Sequence, residues 1–199
     1  MAFYQPNSTQ AESIMAEVAK VEITNSTPEE QIDNAMSTIT LALKVELLQS
    51  ILARDYVFFE SLIVDLLVAM GYGGSHADAA LKIGKSHDGG IDGIIDEDRL
   101  GLDRIYVQAK RYENITVGSP EVQGFVGSLV GHGATKGVFA TTSTFSAAAA
   151  SYVRHLPQRV VLIDGIRLTE LMIEHGVGVR SARLFAIRKI DDAYFSEDV

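Results

Sequence analysis

From about residue 80 onward, short apolar runs alternate with helical stretches, and this alternation constrains the fold more than any other feature. RIYVQAK, KGVFATTS and RVVLIDG are compact apolar runs that are typical of buried strands. Two stretches with helical spacing of their apolar residues, SPEVQGFVGSLVGHG and SAAAASYVRHL, separate them. Strands joined through a helix run parallel, so the pattern predicts a sheet that is covered by helices.

Two further runs precede this alternation. ALKIG and GIDGII read as strands that lead into RIYVQAK as a meander, and IRLTELMIEHG reads as a last helix that ends at Gly176. The predicted order is therefore α-α-β-β-β-α-β-α-β-α. A meander followed by strand–helix–strand units implies an α/β fold with a mixed central sheet flanked by helices.

The N-terminal part of the chain has helical signals instead. Thr27, Pro28 and Glu30 form a capping box with proline at the first helical position, and an apolar stripe follows as far as Ile51. A break near Asp55 precedes a second, almost wholly apolar helix. We therefore expect an N-terminal helical extension over residues 1–54 and one α/β domain over residues 55–199.

Composition excludes several classes of protein. The chain has no cysteine, which rules out disulfides, thiolate zinc sites and cysteine nucleophiles, and which fits a reducing cytoplasm. We expect neither a signal peptide nor a membrane span. The net charge is −9, and it is distributed unevenly. Residues 1–79 hold 11 acidic and 3 basic residues, whereas residues 80–199 hold 15 acidic and 14 basic residues. A local basic patch in the second part is compatible with this balance.

The stretch GIDGIIDEDRLGLDRIYVQAKRY combines an acid, an amide and an amine in a way that suggests a site. Side chains alternate faces along a strand, so Gln108 and Lys110 share a face, and a hairpin would lay Asp92 beside them. Carboxylate and amide oxygens suit Mg²⁺, with the Ala109 carbonyl as a further donor, and the amine suits a phosphate. A solvated hairpin is the alternative, although the glycines around Asp92 favour close backbone approach.

Several segments together carry a family resemblance. GYGG, GIDGII, IYVQAKRY, VGSPEVQGFVGSL, GVFATTSTFS and VLIDGIRLTELMIEHGVGV, in this order, resemble the catalytic domain of the Mrr-type restriction endonucleases in the PD-(D/E)xK superfamily. The resemblance covers roughly residues 28–195. It implies a restriction-endonuclease-like fold and a Mg²⁺-dependent DNA endonuclease of the type IV kind, directed at modified DNA, with Mn²⁺ as a substitute metal.

The resemblance also implies roles for single residues. Asp92 and Lys110 match the acid and the lysine of the family motif, and Gln108 stands where the family replaces the glutamate of the superfamily. Glu60, within an apolar helix, matches a further acidic position. Because an acid in such a helix is costly unless it is paired or binds a metal, its position supports that role, with an interhelical salt bridge as the alternative.

Other polar residues are candidates for contacts with DNA. Lys85 and Arg111, together with Lys82 and Lys136, are candidates for phosphate contacts, and surface charges that only face solvent are the alternative. Asp88 and Gln123 lie where they could face the site; turn chemistry and an exposed helix amide are their alternatives. The hydroxyls of TTSTFS could contact phosphates or cap a helix.

These inferences lead to expectations about partners. We expect double-stranded DNA as substrate and a homodimer or higher homo-oligomer built on the N-terminal helices. The resemblance also implies an N-terminal winged-helix domain, which residues 1–27 cannot form. The chain is therefore expected either to act as a stand-alone nuclease or to work with a separate DNA-recognition subunit. The alternatives are a structure-specific repair or junction-resolving nuclease and a catalytically silent DNA-binding or scaffold protein.

Overall fold

The computed structural model describes residues 26–73, 90–98 and 100–195. The helices are α1 (Pro28–Leu52), α2 (Tyr56–Ala69), α3 (Ser119–Gly131), α4 (Ala147–Val153), α5 (Gly165–Glu174) and the short α6 (Asp192–Phe195). The strands are β1 (Gly93–Asp96), β2 (Arg104–Lys110), β3 (Lys136–Thr141) and β4 (Arg159–Ile163). The predicted strand ALKIG lies outside the described residues.

The chain divides into two units between Leu43 and Lys44. The candidate site belongs to the second unit, and the boundaries 1–54 and 55–199 stay a prediction. By length and composition, α1 could cross a membrane. Helices of proteins that enter no membrane often meet the same criterion, so this is weak evidence.

Local signals fix the ends of the first two helices as the sequence predicts. At the start of α1, Thr27 Oγ1 accepts a hydrogen bond from the Glu30 backbone N–H, and the Thr27 N–H donates to Glu30 Oε2 at 2.7 Å. Asp55 caps α2 by accepting from the Phe58 N–H at 2.8 Å. Gly71 follows that helix with a φ of +101°, the left-handed conformation that glycine adopts without strain. The capping box and the break near Asp55 are therefore confirmed.

The sheet has the strand order β1-β2-β3-β4. β1 pairs antiparallel with β2, with Gly93 opposite Val107, whereas β2, β3 and β4 run parallel. The predicted mixed sheet is thus confirmed within the described residues. β2 lies between β1 and β3, so most of its side chains are buried, and the end of β2 is where polar groups can be held precisely.

Helices cover both faces of the sheet. α3 and α4 pack on the face that carries Tyr106 and Phe139, where the rings of Phe125 and Phe139 meet edge to face at 5.5 Å. α2 and α5 lie on the opposite face, which carries Ile105 and Val138. Ser119 followed by Pro120 in SPEVQGFVGSLVGHG predicts a serine cap for α3, and this prediction is wrong. The N-cap is Gly118, and Glu121 accepts from its N–H.

Removing the central aromatic ring tests the packing of this core. Phe139 is fully buried between Phe125 and Phe145. We expect Phe139→Ala to lower the free energy of unfolding by about 3–5 kcal/mol, because it leaves a cavity on the sheet. Urea unfolding followed by circular dichroism measures the loss. Val130→Ala, at an exposed position of α3, is the matched control and should change stability by less than about 0.5 kcal/mol.

Candidate active site

Asp92 occupies the point where the hairpin ladder between β1 and β2 ends. Its backbone N–H donates to the Val107 carbonyl at 2.8 Å, and its carboxylate Oδ2 accepts from the Ala109 N–H, also at 2.8 Å. A side-chain oxygen therefore occupies the place that a backbone carbonyl would take in a regular ladder. The carboxylate is thereby fixed at the edge of β2.

Gln108 and Lys110 flank that contact on β2. Both lie on the face that carries Phe139, since strand side chains alternate. The Gln108 side chain is buried, with 6 % of its surface exposed, and its Oε1 has no hydrogen-bond partner among the described residues. A buried polar atom without a partner costs about 1–3 kcal/mol, so the arrangement favours a ligand at Oε1.

Glu60 reaches this region from α2. Burial raises the pKa of the Glu60 carboxyl, the neighbouring charge of Asp92 raises it further, and Lys110 partly offsets both effects. Burial also raises the pKa of Asp92, against the lowering effects of the Ala109 N–H and of Lys110. The charges of all three residues thus interact. Glu60 forms no ion pair within the described part of the chain, which weighs against the interhelical salt bridge.

The donor set at this site fits a hard divalent cation. Two carboxylates with raised pKa values and one unpartnered amide oxygen are the oxygen ligands that Mg²⁺ and Mn²⁺ accept. The Ala109 N–H points to Asp92, and in a strand the carbonyl of the same residue points to the same edge. No three His, Cys, Asp or Glu side chains converge in the described ranges. A cation at this site would therefore also need the neutral oxygen donors, which are the Gln108 amide and the Ala109 carbonyl.

The other predicted residues lie in varied surroundings. Arg111 Nη1 donates to the Leu52 carbonyl at 3.0 Å, at the end of α1, and Gln123 Nε2 donates to Ser119 Oγ on its own helix. Lys136 pairs with Glu97 and, at 2.7 Å, with Asp103. Lys82, Lys85 and Asp88 lie outside the described residues. The charges of Glu60, Asp92 and Lys110 thus interact, and Gln108 lies on β2 next to Ala109, whose N–H holds Asp92. Arg111, Gln123 and Lys136 make contacts within the chain.

Sequence reasoning missed the threonines that hold the end of β2. Thr141 Oγ1 donates to the Lys110 carbonyl at 2.8 Å, and Thr142 Oγ1 donates to the Tyr112 carbonyl at 2.7 Å. Both hydroxyls are buried and fix the backbone on either side of Arg111. The stretch TTSTFS was the available signal. Its predicted helix cap is also confirmed, because Ser146 caps α4 by accepting from the Ala149 N–H.

Neutralising Asp92 tests the electrostatics of the site. Its pKa is raised above the ordinary 3.8 in the folded protein, so the folded state binds the proton more tightly than the unfolded chain. Stability therefore falls as the pH rises from 3.8 through the folded pKa, and the loss persists at neutral pH. Asp92→Asn keeps an acceptor for the Ala109 N–H and removes the charge. We expect it to stabilise the metal-free protein at pH 7.5, because the folded state then no longer holds a partly buried carboxyl that resists ionisation.

The measurement is thermal unfolding in chelator-treated buffer at pH 7.5 and at pH 3. The gain should vanish at the lower pH, where both states of the wild-type carboxyl are protonated. Asp65→Asn on the exposed side of α2 is the control and should have no such effect. A wild-type protein that is more stable than Asp92→Asn at pH 7.5 would contradict the assigned electrostatics.

Sequence comparisons match the region of the chain that contains these residues. A restriction endonuclease family model, Mrr_cat, matches residues 51–172, which include Glu60, Asp92, Gln108 and Lys110. The type IV methyl-directed restriction enzyme EcoKMrr of Escherichia coli K12 is 44 % identical over 174 residues. That match covers 87 % of this chain and 56 % of the relative, so the chain spans little more than half of the length of the relative.

Solved structures agree on the fold. The MspJI restriction endonuclease in complex with a 27-mer oligonucleotide superposes with a TM-score of 0.50 at 25 % identity, covering 65 % of this chain and 31 % of the other. The DNA modification-dependent restriction endonuclease AspBHI superposes with a TM-score of 0.52 at 21 % identity. That match covers 76 % of this chain and 37 % of AspBHI. The predicted restriction-endonuclease-like fold is thereby confirmed, and the chain belongs to the Mrr-type restriction endonuclease family.

Proposed function

We propose that this chain is a Mg²⁺-dependent endonuclease that hydrolyses phosphodiester bonds in modified double-stranded DNA. The observation that carries the proposal is the pairing of the Asp92 carboxylate with the Ala109 N–H, beside the unpartnered Gln108 oxygen. Membership of a restriction endonuclease family supports the reaction class. The family generally uses divalent metal ions, and the choice of Mg²⁺, with Mn²⁺ as a substitute, rests on the oxygen donors of the site.

Asp92 and Gln108 would hold the cation, with Glu60 as a further ligand. When bound, a divalent cation supplies positive charge to the scissile phosphate and acidifies a water molecule. The protein contributes the geometry. The Ala109 N–H fixes one oxygen of Asp92, and the second oxygen remains available as a ligand. Because the pKa values of Asp92 and Glu60 are raised, protons compete with the cation, and its apparent affinity should fall as the pH falls through these pKa values.

Lys110 would act on the phosphate and on the attacking water. Its charge interacts with those of Glu60 and Asp92, so the amine lies close to the proposed metal ligands. An ammonium group there stabilises negative charge that builds on the phosphate oxygens, and it orients the water by a hydrogen bond. Thr141 holds the Lys110 carbonyl and thereby fixes the strand from which the amine projects.

The kind of DNA is inferred from the relative. EcoKMrr is methyl-directed, and we propose that this chain likewise cuts modified DNA in preference to unmodified DNA. We also propose that a separate DNA-recognition subunit can add to this preference. We further propose a cytoplasmic location, which the absence of cysteine supports.

A homodimer is proposed because each chain offers one site, whereas a duplex has two strands. Two copies would place one site on each strand. Sedimentation velocity at the concentration used for cleavage checks this, and a species of 21.6 kDa alone would contradict it.

Removing the amine tests catalysis directly. Lys110→Ala should reduce plasmid nicking in Mg²⁺ or Mn²⁺ by at least about 100-fold, because it removes a charge that stabilises the transition state. Supercoiled plasmid resolved on agarose measures the rate. Lys189→Ala, at an exposed C-terminal position, is the matched lysine control and should cut like the wild type.

Equal rates for wild type and Lys110→Ala would favour the catalytically silent DNA-binding alternative instead. Chelated wild-type protein should also be inactive. Activity that persists in excess chelator would overturn the metal requirement.

Substrate preference is tested with paired DNAs. We expect a methylated plasmid to be cut at least about 10-fold faster than the same plasmid prepared without methylation. A synthetic four-way junction of the same base composition separates the junction-resolving alternative. Faster cleavage of the junction than of methylated linear DNA would contradict a role in restriction of modified DNA.

A further inference from the structure

We propose that Gly90 is a positioning residue whose missing side chain sets the orientation of the Gln108 amide in the cation site. The inference rests on the proposed function and extends it to a backbone position two residues before Asp92. It predicts that a single methyl group at this position displaces a metal ligand without touching the metal.

The geometry at Gly90 is close and specific. A Cβ built on Gly90 would lie 2.8 Å from Gln108 Nε2, 3.6 Å from Cδ and 3.8 Å from Oε1. The nitrogen end of the amide therefore lies over the glycine, and the oxygen end is the more distant one. Gly90 also has a φ of +91°, a left-handed conformation in which glycine is favoured.

The position of Gly90 in the chain explains why its backbone comes so close. The next residue, Ile91, is buried in the core cluster on the α3–α4 face, and Asp92 follows at the edge of β2. The turn at Gly90 thus leads the chain into the core directly beside Gln108. The glycine backbone forms one wall of the pocket that holds the amide.

A methyl group at Gly90 should displace the Gln108 amide rather than the surrounding backbone. The group that it would meet first is the end of a flexible side chain, which can rotate, whereas backbone atoms cannot. Gln108 is 6 % exposed, so rotation moves Oε1 out of its present position within a packed site. The fold can persist while the unpartnered oxygen no longer lies beside Asp92.

The test compares two glycines that both have a positive φ. Gly71 has a φ of +101°, and a Cβ there would meet nothing within 4 Å. Gly71→Ala and Gly90→Ala therefore share the penalty of alanine in a left-handed conformation, and only Gly90→Ala contacts Gln108. Isothermal titration of the full chain with Mn²⁺ measures cation affinity. The side-chain amide resonance of Gln108 in metal-free protein reports its position independently.

We expect Gly90→Ala to shift the Gln108 amide resonance and to weaken Mn²⁺ binding by about 10-fold or more, the usual scale for groups that orient metal ligands. Gly71→Ala should change neither. In a Gln108→Ala background, adding Gly90→Ala should have no further effect on Mn²⁺ affinity, because the amide that it displaces is gone. The double variant also removes the close contact, so it should fold even where Gly90→Ala alone does not.

Four results would overturn the inference. Wild-type Mn²⁺ affinity in Gly90→Ala, or equal losses in Gly71→Ala and Gly90→Ala, would reject the positioning role alone. An unfolded double variant beside a folded Gly71→Ala would assign the defect to the backbone at position 90 rather than to the amide. A wild-type protein that binds no Mn²⁺ would reject the cation site, and with it both the proposed function and the role of Gly90.

Discussion

The site depends on one hydrogen bond, from the Ala109 N–H to the Asp92 carboxylate. Beyond the last β1–β2 pair, Gly93 with Val107, a side-chain oxygen rather than a backbone carbonyl accepts from β2. The same bond fixes an acid beside Gln108 and Lys110. Thr141 and Thr142 hold the next residues of β2 from the parallel side. Hydrogen bonds thereby hold the end of β2 on both sides, from threonine hydroxyls on one side and to the Asp92 carboxylate on the other.

Holding charges in this way opposes stability. Burial raises the pKa values of Asp92 and Glu60, so ionising either carboxyl costs the folded state free energy. The unpartnered oxygen of Gln108 adds to that cost. The surrounding core offsets it through the packing of Phe125 and Phe139 on the sheet. A cation that accepts all three groups would remove the penalty, which is why the same features that destabilise the metal-free protein favour binding.

The sequence predicted features that depend on neighbouring residues and missed those that depend on distant ones. The Thr27–Glu30 capping box, the Asp55 break and the strands from β1 to β4 follow from local chemistry and periodicity. The sequence singles out Glu60 because an acid is unusual in an apolar helix, and its role in the site stays a prediction. The contacts of Arg111 with Leu52 and of Lys136 with two acids join residues 33 to 59 positions apart, so their spacing gave no signal. The prediction of Ser119 as the cap of α3 is wrong for a local reason. The Glu121 carboxylate accepts from the Gly118 N–H, so the helix begins with Gly118 as its N-cap.

Crystals of the full chain soaked in Mn²⁺ give the most direct test of the central claim, that these groups share one cation. The anomalous signal of Mn²⁺ locates the ion without reference to activity or to DNA. We expect a peak about 2.0–2.4 Å from an Asp92 carboxylate oxygen and from Gln108 Oε1, with Glu60 directly or through water. A peak elsewhere, or a Gln108 oxygen that points away from Asp92 in the presence of saturating Mn²⁺, would contradict it.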